Sequence, residues 1–136
     1  MKSPTENLKL RGNDPTGHGY YGAKRGTRKH KGLDVVALPK EKIYSPITGF
    51  FKRIGQVYSH TKKYNLIEIV NDVYSIKLMY VEPYDFKANE FIAEGQEIGI
   101  CQDISSYWGG NMTNHIHFEV RKHGLLTDPE PLLKCK

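Results

Sequence analysis

From Leu33 onward, apolar and polar residues follow one another in short runs, each bounded by turn residues. The runs are LDVVAL (33–38), IYSPITGFFKRIGQVY (43–58), NLIEIV (65–70), DVYSIKLMYV (72–81), EFIAEGQEIGI (90–100) and HIHFEV (115–120). Period-two alternation is the pattern of a half-buried strand. Pro46 and Gly49 predict a strand–turn–strand unit over residues 44–51. Asn71–Asp72 predicts a hairpin turn, and Glu94–Gly95 predicts another turn. In residues 75–81 the alternation places Ile76, Leu78 and Tyr80 on one face and Lys77, Met79 and Val81 on the other. In residues 115–120 it places His115, His117 and Glu119 opposite Ile116, Phe118 and Val120. No segment carries ten or more residues of 3.6 periodicity. The chain therefore reads as mainly β and antiparallel, a sandwich or open barrel. Residues 1–30, rich in Gly, Pro, Asn, Lys and Arg, read as a long surface loop. The tail LLTDPEPLLKCK, with two prolines, reads as an edge segment or loop.

Composition narrows the classes. The 136 residues suit one domain, and 38% hydrophobic with 26% charged residues is globular rather than disordered. No apolar run approaches the ~18 residues of a membrane helix. The first residues lack the apolar stretch of a secretory signal peptide. The net charge of +5 permits attraction to nucleic acid, acidic polysaccharide or cell-wall material and selects none of them. A nucleic-acid-binding β-barrel would rest on charge alone, since no nucleic-acid motif accompanies Tyr20 and Tyr21. The two cysteines, Cys101 and Cys135, do not make a disulfide framework; a single bond between them stays open.

Two spacings carry chemistry. His30 and Asp34 stand four apart, which puts them on one side of an extended chain. His115 and His117 stand two apart on one strand face, about 7 Å from each other. Two imidazoles and a carboxylate, with one position left open, are a ligand set for catalytic zinc. Glu119 shares the histidine face, where it either orients one imidazole or is a groove-wall charge. Lys24, Arg25, Arg28, Lys29 and Lys31 flank His30 as a solvated loop or as a basic rim for acidic groups. Tyr107 and Trp108, before Gly109–Gly110, could line a groove or anchor a loop. His18, His60 and His123 read as surface residues.

The segments RKHKGLDV, YSPITG, GQEIG and HIHFEV, in this order over residues 28–120, resemble the lysostaphin/LytM-type zinc endopeptidase domain. Within that family, GHGYYGAKRGTRKHKGLDV is most similar to the leukocyte cell-derived chemotaxin-2 branch and its bacterial and phage relatives. The resemblance implies a β-rich peptidase domain over residues 28–136, with residues 1–27 as a loop segment packed on it. It implies one zinc held by His30, Asp34 and His117, with His115 beside the metal as a catalytic group. The implied substrate is a peptide bond in the stem or cross-bridge of peptidoglycan, cleaved by a monomer in a periplasmic or extracellular compartment, with no nucleic acid as partner. One position departs from the pattern. The family's strand motif Y-x-H-L corresponds to Leu78–Val81 here, so Tyr80 stands in place of a second catalytic His. The chemotaxin branch, regarded as lacking hydrolase activity, has a similar replacement. The resemblance therefore leaves two functions: a peptidoglycan endopeptidase, or a zinc-stabilised domain that recognises a protein or glycan.

Overall fold

The computed structural model describes residues 1–14, 17–25, 28–105 and 112–133. Two short hairpins come first, β1 (Asn13–Asp14) with β2 (Gly17–His18), and β3 (Lys24–Arg25) with β4 (Arg28–Lys29). The main strands follow: β5 (Leu33–Val36), β6 (Lys42–Tyr44), β7 (Gly49–Gln56), β8 (Asn65–Val70), β9 (Tyr74–Met79) and β10 (Val81–Pro83). The rest are β11 (Phe91–Ile92), β12 (Glu97–Cys101), β13 (His115–Lys122), β14 (Leu125–Thr127) and a single helical turn, α1 (Glu130–Leu133).

The strands form an open sandwich, as the alternating runs predict. One sheet runs β11-β7-β8-β9-β13-β14, with β5 also paired to β13; a smaller sheet runs β10-β12-β6. Every pairing is antiparallel. The core lies between the two sheets. The large sheet sends in Leu33, Val35, Ile67, Ile69, Ile76, Leu78, Ile116, Phe118 and Val120, and the small one sends in Ile43, Val81, Ile98 and Cys101. Each large apolar side chain buried this way contributes about 1.5–3 kcal/mol. Burial of one face of β5 and β13 leaves the other face of both strands to carry polar chemistry.

The hairpin at Asn71 forms, with its side-chain Oδ1 accepting from the amides of Val73 and Tyr74. The unit around Pro46 and Gly49 has both strands, but they do not pair with each other: β6 joins β12 and β7 joins β8. The segment between them passes from one sheet to the other. The tail combines an edge strand, β14, with the turn α1.

Two expectations need correction. The first concerns the N-terminal stretch, which is more than a surface loop. Leu10 bridges Val35, Val36 N–H donates to the Lys9 carbonyl at 2.7 Å, and Arg11 N–H donates to the Asp34 carbonyl at 2.9 Å. Residues 9–11 thus lie along β5 like a further strand. Leu8 and Leu10 pack on the core, and Arg11 is buried. The second concerns Tyr80, which leaves the face of Ile76 and Leu78. Its φ is +70°, a left-handed conformation that ends the alternation at Met79. It sits where the chain passes from β9 in the large sheet to β10 in the small one. Its amide donates to the Asn65 carbonyl and its carbonyl accepts from Gln102, each at 2.8 Å. Those bonds hold a conformation that an aromatic residue rarely adopts. Tyr80 packs in a satellite cluster with Tyr64 and Ile104.

Cys101 has a free, buried thiol, pushed up to about 12 by burial. Cys135, Tyr107, Trp108, Gly109 and Gly110 lie outside the described residues.

Candidate metal centre

The site grows from one register. β5 and β13 pair so that Asp34 stands opposite His117, with Leu33 opposite Phe118 and Val35 opposite Ile116. The apolar pairs enter the core, so Asp34 and His117 must share the other face. His30, four residues before Asp34, closes on the same point. His30 Nε2 lies 3.0 Å from His117 Nδ1 and 3.2 Å from Asp34 Oδ1, and His117 Nδ1 lies 3.1 Å from Asp34 Oδ1.

Gly32 makes the approach possible. A Cβ there would come within 2.5 Å of the Phe118 carbonyl and 2.8 Å of His117 Nε2, so a side chain has no room. Gly19 has a similar part on the other flank. A Cβ on Gly19 would meet Arg11 Nε at 2.9 Å and Asp34 Cβ at 3.0 Å.

The outer partners decide which way each donor faces. His30 Nδ1–H donates to the Tyr20 carbonyl at 2.8 Å, and His117 Nε2–H donates to Glu119 Oε2 at 2.9 Å. Carbonyls and carboxylates only accept, so both outer ring nitrogens carry the proton. The inner nitrogens converge on Asp34 Oδ1, and in the metal-free fold His117 Nδ1 also carries a proton, which it donates to that oxygen. With the inner protons displaced, the three atoms can turn lone pairs toward one shared cation. Tetrahedral zinc with bonds of about 2.0–2.1 Å separates its ligands by about 3.3 Å, close to the distances found. Carboxylate and carbonyl partners behind the imidazoles also match the usual support of zinc histidines. The donor set fits a zinc ion.

The electrostatics follow from this crowding. Burial lowers the basicity of His117, but its hydrogen bonds to Asp34 and Glu119 more than offset that and raise its pKa to about 9. For Asp34, burial works upward, and the hydrogen bonds of His117 and His30 outweigh it, holding the carboxyl well below the usual range. Glu119 is lowered as well: burial works upward, and its bond to His117 prevails.

His115 lies on the same face, with its Nδ1–H donating to the Thr113 carbonyl at 2.7 Å. Its Nε2 therefore carries the lone pair and faces inward, 3.5 Å from Asp34 Oδ2. Burial pushes its pKa down, against the pull of Asp34. The Tyr80 ring meets the His115 ring edge to face, with centroids 5.9 Å apart. The Tyr80 hydroxyl bonds that of Tyr58 at 2.7 Å.

The structure thus brings together His30, Asp34, His115, His117 and Glu119, with Tyr80 against His115. Three parts lacked a sequence motif: Arg11, Tyr58 and the Tyr20 carbonyl. The alternation of Leu8 and Leu10 just before Arg11 is a strand signal that could have drawn attention to it. Lys24, Lys29 and Lys31 are exposed beside the site. His60 is exposed and stacks on Tyr58, and His123 is exposed at the turn after β13. The side chains of His18, Arg25 and Arg28 lie outside the description. Among the described residues no helix is long and apolar enough to cross a membrane.

An open antiparallel sandwich that converges two imidazoles and a carboxylate on one sheet face defines a lysostaphin-like peptidase fold. The chain belongs to peptidase family M23, whose model matches residues 28–129. It is 30% identical over 109 residues to leukocyte cell-derived chemotaxin-2 of Bos taurus, covering 78% of this chain and 69% of the relative. Among solved structures it resembles the antimicrobial peptidase lysostaphin from Staphylococcus simulans, at a TM-score of 0.69 and 21% identity over 98% of this chain and 55% of lysostaphin. Helicobacter pylori Csd3 gives a TM-score of 0.71 at 19% identity over 99% of this chain. The chain spans 35% of Csd3's length. At these identities the two structures establish the fold alone.

Proposed function

We propose that this domain is a zinc-dependent endopeptidase that hydrolyses peptide bonds in the stem or cross-bridge of peptidoglycan, in a periplasmic or extracellular compartment. The observation that carries the reading is the convergence of His30 Nε2, Asp34 Oδ1 and His117 Nδ1 within 3.0–3.2 Å, each backed by an outer partner. Membership of peptidase family M23 supports the peptidase class. The contacts of Lys9, Leu10 and Arg11 with β5 support reading residues 1–27 as packed on a peptidase domain of residues 28–136; we take the whole to act as a monomer.

His30, Asp34 and His117 would hold the zinc, which when bound polarises a scissile carbonyl and lowers the pKa of water. His115 acts as the base. Its Nδ1–H is tied to Thr113, its Nε2 lone pair faces the site, and burial favours its neutral form. It takes a proton from the attacking water and returns it to the leaving amine. Glu119 keeps His117 in the tautomer that turns Nδ1 inward. Tyr80, in the place of a second His, contributes a hydroxyl donor that can stabilise the developing oxyanion. Its reference pKa of about 10 makes it a poor base near neutral pH.

A second reading has a specific observation behind it. Tyr80 replaces a catalytic His, and the 30% identical relative is a chemotaxin. On that reading the zinc stabilises a domain that recognises a protein or glycan partner. Metal analysis and a cell-wall hydrolysis assay on the purified chain separate the two. The enzyme reading expects about one zinc per chain and release of wall peptides that stops on chelation. One zinc with no hydrolysis selects the binding domain, and no zinc sinks both.

A further inference from the structure

The two oxygens of Asp34 face different surroundings. Oδ1 faces His30 and His117, while Oδ2 accepts from Arg11 Nε at 3.0 Å and lies 3.5 Å from His115 Nε2. The Arg11 and Asp34 side chains are 2% and 4% exposed. This arginine comes from outside the segment that matches the family model, residues 28–129. Its backbone is nonetheless registered to β5 through the Lys9, Leu10 and Arg11 contacts described above. Asp34 N–H donates to the Gly19 carbonyl at 2.8 Å, and the absent side chain of Gly19 leaves room for the guanidinium.

We infer that Arg11 is a positioning residue of the metal centre, which makes Asp34 a one-oxygen ligand by withholding Oδ2. The inference rests on the zinc reading above. The ion pair with Asp34 accounts for the guanidinium's charge but does not serve the metal, because a cation beside a cation site opposes metal binding. Orientation does give a reason. A carboxylate with both oxygens available can chelate, and the second bond would fill the position that a catalytic site keeps open for substrate or water. An N–H on Oδ2 removes that option and fixes the carboxylate plane, with Oδ1 toward the two imidazoles. It also keeps Oδ2 in place beside the base, His115.

The test uses the full chain, with cobalt(II) in place of zinc, and compares wild type, Arg11→Met and Arg11→Lys. Wild type is expected to show the intense visible absorption of a four-coordinate site. Arg11→Met should show the weaker bands of a five-coordinate one, with zinc affinity by chelator competition reduced about 10- to 100-fold. Arg11→Lys keeps the charge without the planar fork and should fall between the two. A purely structural role would lower the melting temperature and leave the cobalt spectrum unchanged. A wild-type spectrum in a folded Arg11→Met protein overturns the inference. If Arg11→Met does not fold, Arg11→Lys decides, and wild-type behaviour in it has the same force. A wild-type chain that binds neither cobalt nor zinc overturns the metal reading itself, and this inference with it.

Discussion

His117 Nδ1 lies 3.1 Å from Asp34 Oδ1 because the two residues are register partners across β5 and β13. Two strands far apart in sequence thus place one proposed ligand opposite another, and His30 completes the proposed set from the same side. Removing either partner should empty the site. Purified His117→Ala and Asp34→Ala should carry well under one zinc per chain by metal analysis. Added zinc should no longer raise their melting temperatures, since a metal stabilises only a fold that binds it. Wild-type occupancy in either variant would remove that residue from the ligand set.

Zinc binding should depend on pH with a definite sign. The pKa of His117 is about 9 in the metal-free fold, against about 6.5 unfolded. Its contribution to metal-free stability is therefore complete below about 6.5 and is lost as pH rises through about 9. Zinc must displace that proton. Apparent affinity should therefore climb about tenfold per pH unit between about 6.5 and 9, then level off. Chelator competition across this range measures it, and a flat profile would contradict the protonated His117. On the acid side, Asp34 is held below the usual carboxylate range, so its contribution is present above about pH 4 and lost as pH falls.

In the proposed mechanism His115 is a base, not a ligand. His115→Ala should therefore retain zinc while hydrolysis falls at least about a hundred-fold. Loss of the metal in this variant would exchange the roles of His115 and His117.

Tyr80 touches the site through His115 and shares a hydrogen bond with Tyr58. Tyr80→Phe keeps the ring and should change stability by about 1 kcal/mol or a little more, since it also leaves the Tyr58 hydroxyl without that partner. If the phenol donates to the oxyanion, hydrolysis should fall roughly a hundred-fold with zinc retained. Tyr80→His should then restore or raise it. Unchanged rates in Tyr80→Phe would assign the hydroxyl to packing with Tyr58 alone.

The period-two runs made the strands and the apolar face of β13 legible in the sequence. They also placed His115, His117 and Glu119 together, because alternation is a local property of extended chain. Spacing alone set His30 and Asp34 on one side, and Gly32 between them is required by the approach of Phe118 and His117. Local pattern could not foresee Tyr80. Its turn into the left-handed region comes from bonds to Asn65 and Gln102, residues on other parts of the fold. For Arg11 the local signal was slight, the alternation of Leu8 and Leu10 alone, and it gave no hint of the partner. The Arg11 guanidinium reaches Asp34 only because residues 9–11 add to the edge of β5. The sequence by itself determined which residue types could hold a metal and which faces of their strands they occupy. Only the tertiary structure decided how the donors are oriented and what stands behind them. Those depend on strand register and on backbone partners distant in the chain, which no run of neighbouring residues encodes.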